Sequence, residues 1–176
     1  MSAEFHRIGG EEVFKGKIFS VRRETFRYAD GDEAEREVVR HPGAVGMVAH
    51  DDDAVWLVRQ PREAVGIGDL LEIPAGKLDE KSEDPLETAQ RELVEEIGKA
   101  AGQWELLHEF FTSPGFTDER FFLYLATDLT ERSAESGENE RIEIAAWPLE
   151  RLHEAIAACH DAKSLIGLQA LARRLG

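Results

Sequence analysis

Three glutamates, Glu92, Glu95 and Glu96, share the short run Arg91-Glu92-Leu93-Val94-Glu95-Glu96. Leu86, Ala89, Leu93 and Ile97 recur around them at helical spacing, so the segment is expected to be a helix with one apolar face. At about 100° per residue, Glu92 and Glu96 stand one above the other beside that apolar stripe. Glu95, one turn from Glu92, lies further toward solvent, and Arg91, four residues before Glu95, can pair with it and hold it. Two carboxylates stacked in this way repel by about 4 kcal/mol at an effective dielectric of about 20. A hard divalent cation turns that repulsion into a binding site. Oxygen ligands without a nearby Cys or His favour Mg²⁺ or Mn²⁺ over Zn²⁺. A merely acid-rich helix would present its glutamates opposite the apolar stripe; this pair sits beside it.

Positioning such a helix requires a rigid frame, and the surrounding sequence supplies one. Asp84 can cap the helix, Pro85 suits its first turn and Gly98 suits its end. Ahead of it, residues 18–28 and 35–40 read as strands around the turn Asp30-Gly31-Asp32. The apolar runs 44–49 and 54–58 flank a second turn at Asp51-Asp52-Asp53. Residues 66–68 are expected as a loop and 70–73 as a short strand ended by Pro74. After the helix, strands are expected over 104–111, 121–126 and 141–147, with a polar loop at 130–139. Two helices, 148–158 and 161–175, close the chain. Strands interleaved with a central helix indicate α/β layers.

Bulk composition narrows the function. The 176 residues carry 42% hydrophobic and 32% charged side chains, ordinary values for a single soluble domain. No apolar run approaches the roughly 20 residues of a membrane span, and residues 1–10 lack the features of a signal peptide. A single cysteine, Cys159, cannot form an internal disulfide, so a reducing cytoplasm is expected, with the thiol as core filling. The net charge of −15 and the lack of any Lys/Arg block exclude a nucleic acid backbone as partner. A small phosphate compound is admissible where local cations offset the field.

Gly76, Glu83, Arg91-Glu92-Leu93, Glu95-Glu96 and Gly98 resemble the Nudix box: Gly, five residues, Glu, seven residues, Arg-Glu-apolar-x-Glu-Glu-x-Gly-apolar. The chain departs from it twice. Six residues separate Gly76 from Glu83, and Lys99 stands where the family prefers an apolar residue. The resemblance implies a Nudix fold, a mixed β-sheet sandwiched between helices, here with an N-terminal antiparallel strand arm. It implies residues 1–40 as that arm and a candidate dimer contact, and 41–176 as the hydrolase domain. Glu92 and Glu96 would be metal ligands together with the Ala75 carbonyl, and Glu95 would lie close by. Arg91 would orient the acidic cluster and Glu83 would support it.

Arg59-Gln60-Pro61-Arg62, Leu71-Glu72-Ile73-Pro74-Ala75-Gly76, and Pro114 sixteen residues after Gly98 resemble the ADP-ribose pyrophosphatase branch. That likeness implies Mg²⁺-dependent hydrolysis of a nucleoside diphosphate linked to another moiety, ADP-ribose foremost. Another nucleotide-sugar or a dinucleotide is the alternative substrate, and a non-catalytic ADP-ribose sensor the alternative role. In Glu138-Asn139-Glu140, Glu138 would be the base acting on water and Glu140 a further ligand, or the reverse. Arg62 would meet a phosphate, Glu72 would accept a hydrogen bond from adenine or ribose, and Phe19 would stack on adenine. The resemblance also implies a homodimer and no membrane partner.

Overall fold

The computed structural model describes residues 4–78, 84–132 and 141–176, and the chain divides into two compact units. One comprises the chain up to Gly43 with Phe110–Arg120; the other comprises Ala44–Glu109 with Phe121–Gly176.

In the first unit, β1 (Phe5–Lys15), β2 (Ser20–Tyr28) and β3 (Glu33–Arg40) form an antiparallel sheet in sequence order. The turn between β2 and β3 falls where Asp30-Gly31-Asp32 predicts it, with Asp30 Oδ1 accepting the Asp32 N–H. Although the resemblance implies a strand arm over 1–40, β1 carries no strand pattern of its own. Its Gly9-Gly10-Glu11-Glu12 stretch breaks any alternation, and all 11 of its residues are exposed. What makes it a strand is its pairing with β2, a tertiary cause that propensity does not contain. Segment Phe110–Arg120 joins this unit through Val39, whose N–H donates to Phe116 O at 2.8 Å and whose carbonyl accepts from Asp118 N at 3.1 Å.

The polar centre of this unit is Glu24, only 1% exposed. Arg40 Nη2 donates to it at 2.6 Å and Arg22 Nε at 3.1 Å, with Arg7 at 3.5 Å. Burial pushes the Glu24 carboxyl up, but the arginines, Arg40 foremost, outweigh it and hold it below its usual 4.5. A depressed native pKa contributes stability in full above pH 4.5 that is lost as pH falls through the native value. Glu24→Gln should therefore lower stability at pH 7 by about 3 kcal/mol, as breaking a buried ion pair does. The difference from wild type should shrink below pH 4.5. Denaturant titrations at pH 7 and in acid measure both; equal differences at the two pH values would contradict the account.

The second unit is built on a mixed sheet. Among the described residues it has seven strands, with path β10 (Glu143–Pro148), β5 (Ala54–Arg62), β4 (Ala44–His50), β9 (Arg120–Glu131) and β8 (Lys99–Phe111). β6 (Ile67–Glu72) pairs with β5, and β7 (Ala75–Lys77) with β4. β4 and β9 are parallel, and β4 is antiparallel to β5 and β7. Six of the seven β4 residues are buried, the near-continuous apolar run of a strand covered on both faces.

Alternation along β4 and β9 shows which helix covers which face. Val45, Met47 and Ala49, with Tyr124 and Ala126 beside them, share one apolar cluster with Ala89, Leu93 and Ile97 of α1 (Pro85–Ile97). The intervening residues Val48 and Leu123 meet α3 (Ala162–Leu175). A Cβ on Gly167 would lie 2.7 Å from Val48 Cγ2 and 3.5 Å from Leu123 Cδ1. The sheet is thus sandwiched between helices, as the resemblance implies. α1 begins at its expected cap, with Asp84 Oδ1 accepting the Leu86 N–H at 2.8 Å, and ends at Gly98 with φ 66°.

Local differences from the expected elements have identifiable causes. The loop expected at 66–68 shrinks to Gly66, whose left-handed φ of 70° ends a 3₁₀ turn at Glu63–Val65, after which β6 starts. The helix expected over 148–158 opens with a 3₁₀ turn, Leu149–Arg151, before α2 (Leu152–Ala158). Cys159, 4% exposed, follows in extended backbone, and burial pushes its thiol pKa up. Lys99 is also buried, at 6% exposure. Its ammonium sits 3.9 Å from the centroid of the Trp56 ring and pairs with Glu131. Its stem can supply the apolar bulk the box prefers while the charge finds a π face and a carboxylate.

Candidate active site

β7, the start of the box, lies antiparallel to β4 with Ala75 opposite Gly46 and Gly76 opposite Val45. α1 packs across the same strand through Leu93 and Ile97, which brings Glu92 and Glu96 to the Ala75-Gly76 backbone. The Ala75 N–H donates to Glu96 Oε2 at 2.9 Å. Glu92 lies so close to Gly76 that a Cβ there would fall 2.1 Å from Glu92 Cδ. Residues 79–83, Glu83 included, lie outside the described residues.

Arg91 lies along the same face. Its Nη1 donates to Glu92 Oε1 at 2.9 Å and to Glu95 Oε2 at 3.1 Å. Glu95 is the more exposed of the two carboxylates, 42% against 15% for Glu92, which agrees with the helical geometry.

Ala75, Gly76, Glu92 and Glu96 line a cleft of about 530 Å³ together with Arg62, Glu63, Lys77 and Arg141. Two carboxylates on a helix, with Glu63, thus share the cleft with three cations from neighbouring strands and loops. That arrangement suits a polyanion bridged to the protein by divalent metal. In a chain of net charge −15, these cations supply positive charge locally.

The donor set fits a hard cation. Two carboxylates of α1 and the Ala75 residue converge on one cleft wall, and Gly76 leaves a cradle that a Cβ would fill. Among the described residues no third Asp, Glu, His or Cys joins that pair as a ready-made cluster. Glu138 and Glu140, expected as base and further ligand, lie outside the described residues.

Arg62, expected to meet a phosphate, lines the cleft. Glu72 sits beside it, 2% exposed, and its oxygens are engaged by Arg62 Nε at 2.7 Å and Lys163 Nζ at 2.6 Å. Phe19 and Pro114 belong to the first unit. Phe19 is exposed there, with its ring centroid 5.9 Å from that of Phe14. Sequence reasoning missed Lys77, Arg141 and Lys163. The first two had a usable signal, since Lys77 directly follows Gly76 and Arg141 directly follows Glu140. Lys163 had none, because only the fold brings the first turn of α3 to Glu72 at the end of β6.

The NUDIX domain model matches residues 40–166. The chain belongs to the Nudix family. This Nudix chain is 37% identical over 169 residues to the methanol dehydrogenase activator of Bacillus methanolicus, covering 93% of itself and 90% of the relative. It is likewise 37% identical over 175 residues to the ADP-ribose pyrophosphatase of Bacillus subtilis (strain 168), covering 97% and 94%. Among solved structures, one titled as an ADP compounds hydrolase superposes with a TM-score of 0.84 at 23% identity, over 98% of this chain and 94% of that one. That likeness supports the Nudix fold.

Proposed function

We propose that this Nudix chain hydrolyses ADP-ribose to AMP and ribose 5-phosphate with Mg²⁺, Mn²⁺ being an alternative. The observation that carries the reading is the cleft that joins the Glu92/Glu96 pair to Arg62, Lys77 and Arg141. A diphosphate needs both metal-binding carboxylates and direct cationic partners. The similarity to an ADP-ribose pyrophosphatase over nearly the whole chain supports the nucleotide.

Glu92, Glu96 and the Ala75 carbonyl would hold the metal, which when bound neutralises charge on the diphosphate and polarises its phosphoryl oxygens. Arg91 keeps Glu92 and Glu95 in place. Arg62 is assigned to a phosphate, as a guanidinium can donate two parallel hydrogen bonds to one. Glu138 is assigned to take a proton from the attacking water and Glu140 to complete the metal's ligands, by resemblance to the family. Water adds to one phosphorus, the bond from that phosphorus to the bridging oxygen breaks, and the two monophosphates separate. Cys159, the single and buried cysteine, supports a reducing cytoplasmic setting. Exposed Phe5, Val13, Phe14, Ile18 and Phe19 on and beside β1 and β2 support a homodimer.

The test is a panel of ADP-ribose, GDP-mannose, a dinucleotide and a nucleoside triphosphate, assayed with Mg²⁺ by product release. ADP-ribose should give a kcat/KM at least about tenfold above the others, a difference of about 1.4 kcal/mol. Equal or faster turnover of another substrate would displace it. Light scattering on the same sample should return twice the chain mass of 19.7 kDa.

A further inference from the structure

We infer that Lys163, on the first turn of α3, is a positioning residue that sets Arg62 in the cleft by sharing the buried carboxylate of Glu72. The inference rests on the assignment of Arg62 to a phosphate.

Glu72 ends β6 and is 2% exposed, whereas Arg62 on β5 is 38% exposed and lines the cleft. A carboxylate so thoroughly removed from water needs its charge matched on the spot. The match is divided. Glu72 Oε1 accepts from Lys163 Nζ at 2.6 Å, and Oε2 accepts from Arg62 Nε at 2.7 Å. Because Lys163 takes one oxygen, Arg62 engages Glu72 through Nε alone, and among the described residues its two Nη groups remain for a ligand. Without Lys163, the freed oxygen would recruit the Arg62 fork bidentately and withdraw it from the cleft.

Lys163 is itself held in place. Its ammonium lies 2.9 Å from Asp161 Oδ2. Asp161 caps α3 by accepting the Ser164 N–H at 3.0 Å and the Ser164 hydroxyl at 2.5 Å. Ser164 Oγ in turn accepts the Ile73 N–H at 2.9 Å, two residues before Ala75. One helix turn thereby fixes both the end of β6 and the arginine across from it, from the side of the sheet away from α1.

The experiment compares wild type, Lys163→Met, Lys163→Arg, Arg62→Ala and the Arg62→Ala/Lys163→Met double variant. ADP binding with Mg²⁺ is measured by calorimetry, and ADP-ribose turnover by steady-state kinetics. Lys163→Met should weaken ADP binding and raise KM about tenfold, with kcat within about twofold. Lys163→Arg, which keeps a cation for Glu72, should restore most of both. In the Arg62→Ala background, Lys163→Met should change ADP binding less than about twofold, because the two act as a unit. Unchanged ADP binding in Lys163→Met, or an equal loss in both backgrounds, would overturn the inference. If ADP-ribose is not turned over while ADP binding follows the expected pattern, the tether stands and the substrate assignment falls. If Lys163→Met does not fold, Lys163→Gln carries the same comparisons.

Discussion

Glu96→Gln should lower kcat by at least about 10³-fold, about 4 kcal/mol of transition-state stabilisation, while leaving the fold intact. The substitution is nearly isosteric, and the amide oxygen can still accept the Ala75 N–H that Glu96 Oε2 accepts at 2.9 Å. What it removes is the charge that would bind a divalent cation between α1 and β7. Titration with Mg²⁺ should show weakened or lost saturation, and the thermal midpoint should stay within a few degrees of wild type. Glu95→Gln is the internal control. Glu95 is more exposed and lies outside the cleft lining, linked through Arg91 to Glu92 of that lining. Its loss should cost about 10- to 100-fold, the range for groups that orient metal ligands. Wild-type turnover in Glu96→Gln would remove the helix face from the chemistry, and the hydrolase mechanism with it.

How much of this was written in the sequence depends on the range of the interaction. The α1 helix was legible to its caps, because Asp84, Pro85 and Gly98 act on their own backbone and the apolar period is local. The stacking of Glu92 and Glu96 followed from helix geometry alone. The strands of the central sheet were legible where burial forces apolar runs, as in β4. β1 was not, since its residues are exposed and its Gly9-Gly10 pair disguises it. β7 was not either: three residues, Ala75–Lys77, form a strand only because β4 lies beside them.

The same division runs through the site. The Ala75 carbonyl entered only through the resemblance to the Nudix box; residue spacing by itself is silent about it. Residues brought in by the fold, Lys163 above all, were reached by neither. Glu72 shows the limit most clearly. No local rule indicates that two cations, Arg62 and Lys163, engage its oxygens. Burial of Glu24 among three arginines is another case, because a strand rich in Arg and Glu ordinarily indicates a solvated face.

Gly76→Ala provides the sharpest separation of fold from function. The methyl group would lie 2.1 Å from Glu92 Cδ, 2.2 Å from Cγ and 2.4 Å from Oε1, well inside van der Waals contact. The atoms it meets belong to a flexible side chain, so the chain need not break its register with β4; Glu92 must rotate away instead. The stability cost should be about 1 kcal/mol, that of a modest overpacking relieved by a rotamer change. The activity cost should be far larger, at least about 100-fold in kcat, because Glu92 cannot leave the Gly76 backbone and still share a cation with Glu96. The half-saturating Mg²⁺ concentration should rise in parallel. Denaturant unfolding together with metal-dependent kinetics on the purified variant reads both effects. A stability loss of several kcal/mol with unchanged metal dependence would mean that the glycine serves the packing of β7. Near-normal stability with a collapsed rate and weakened metal response would mean that the space it leaves belongs to the carboxylate.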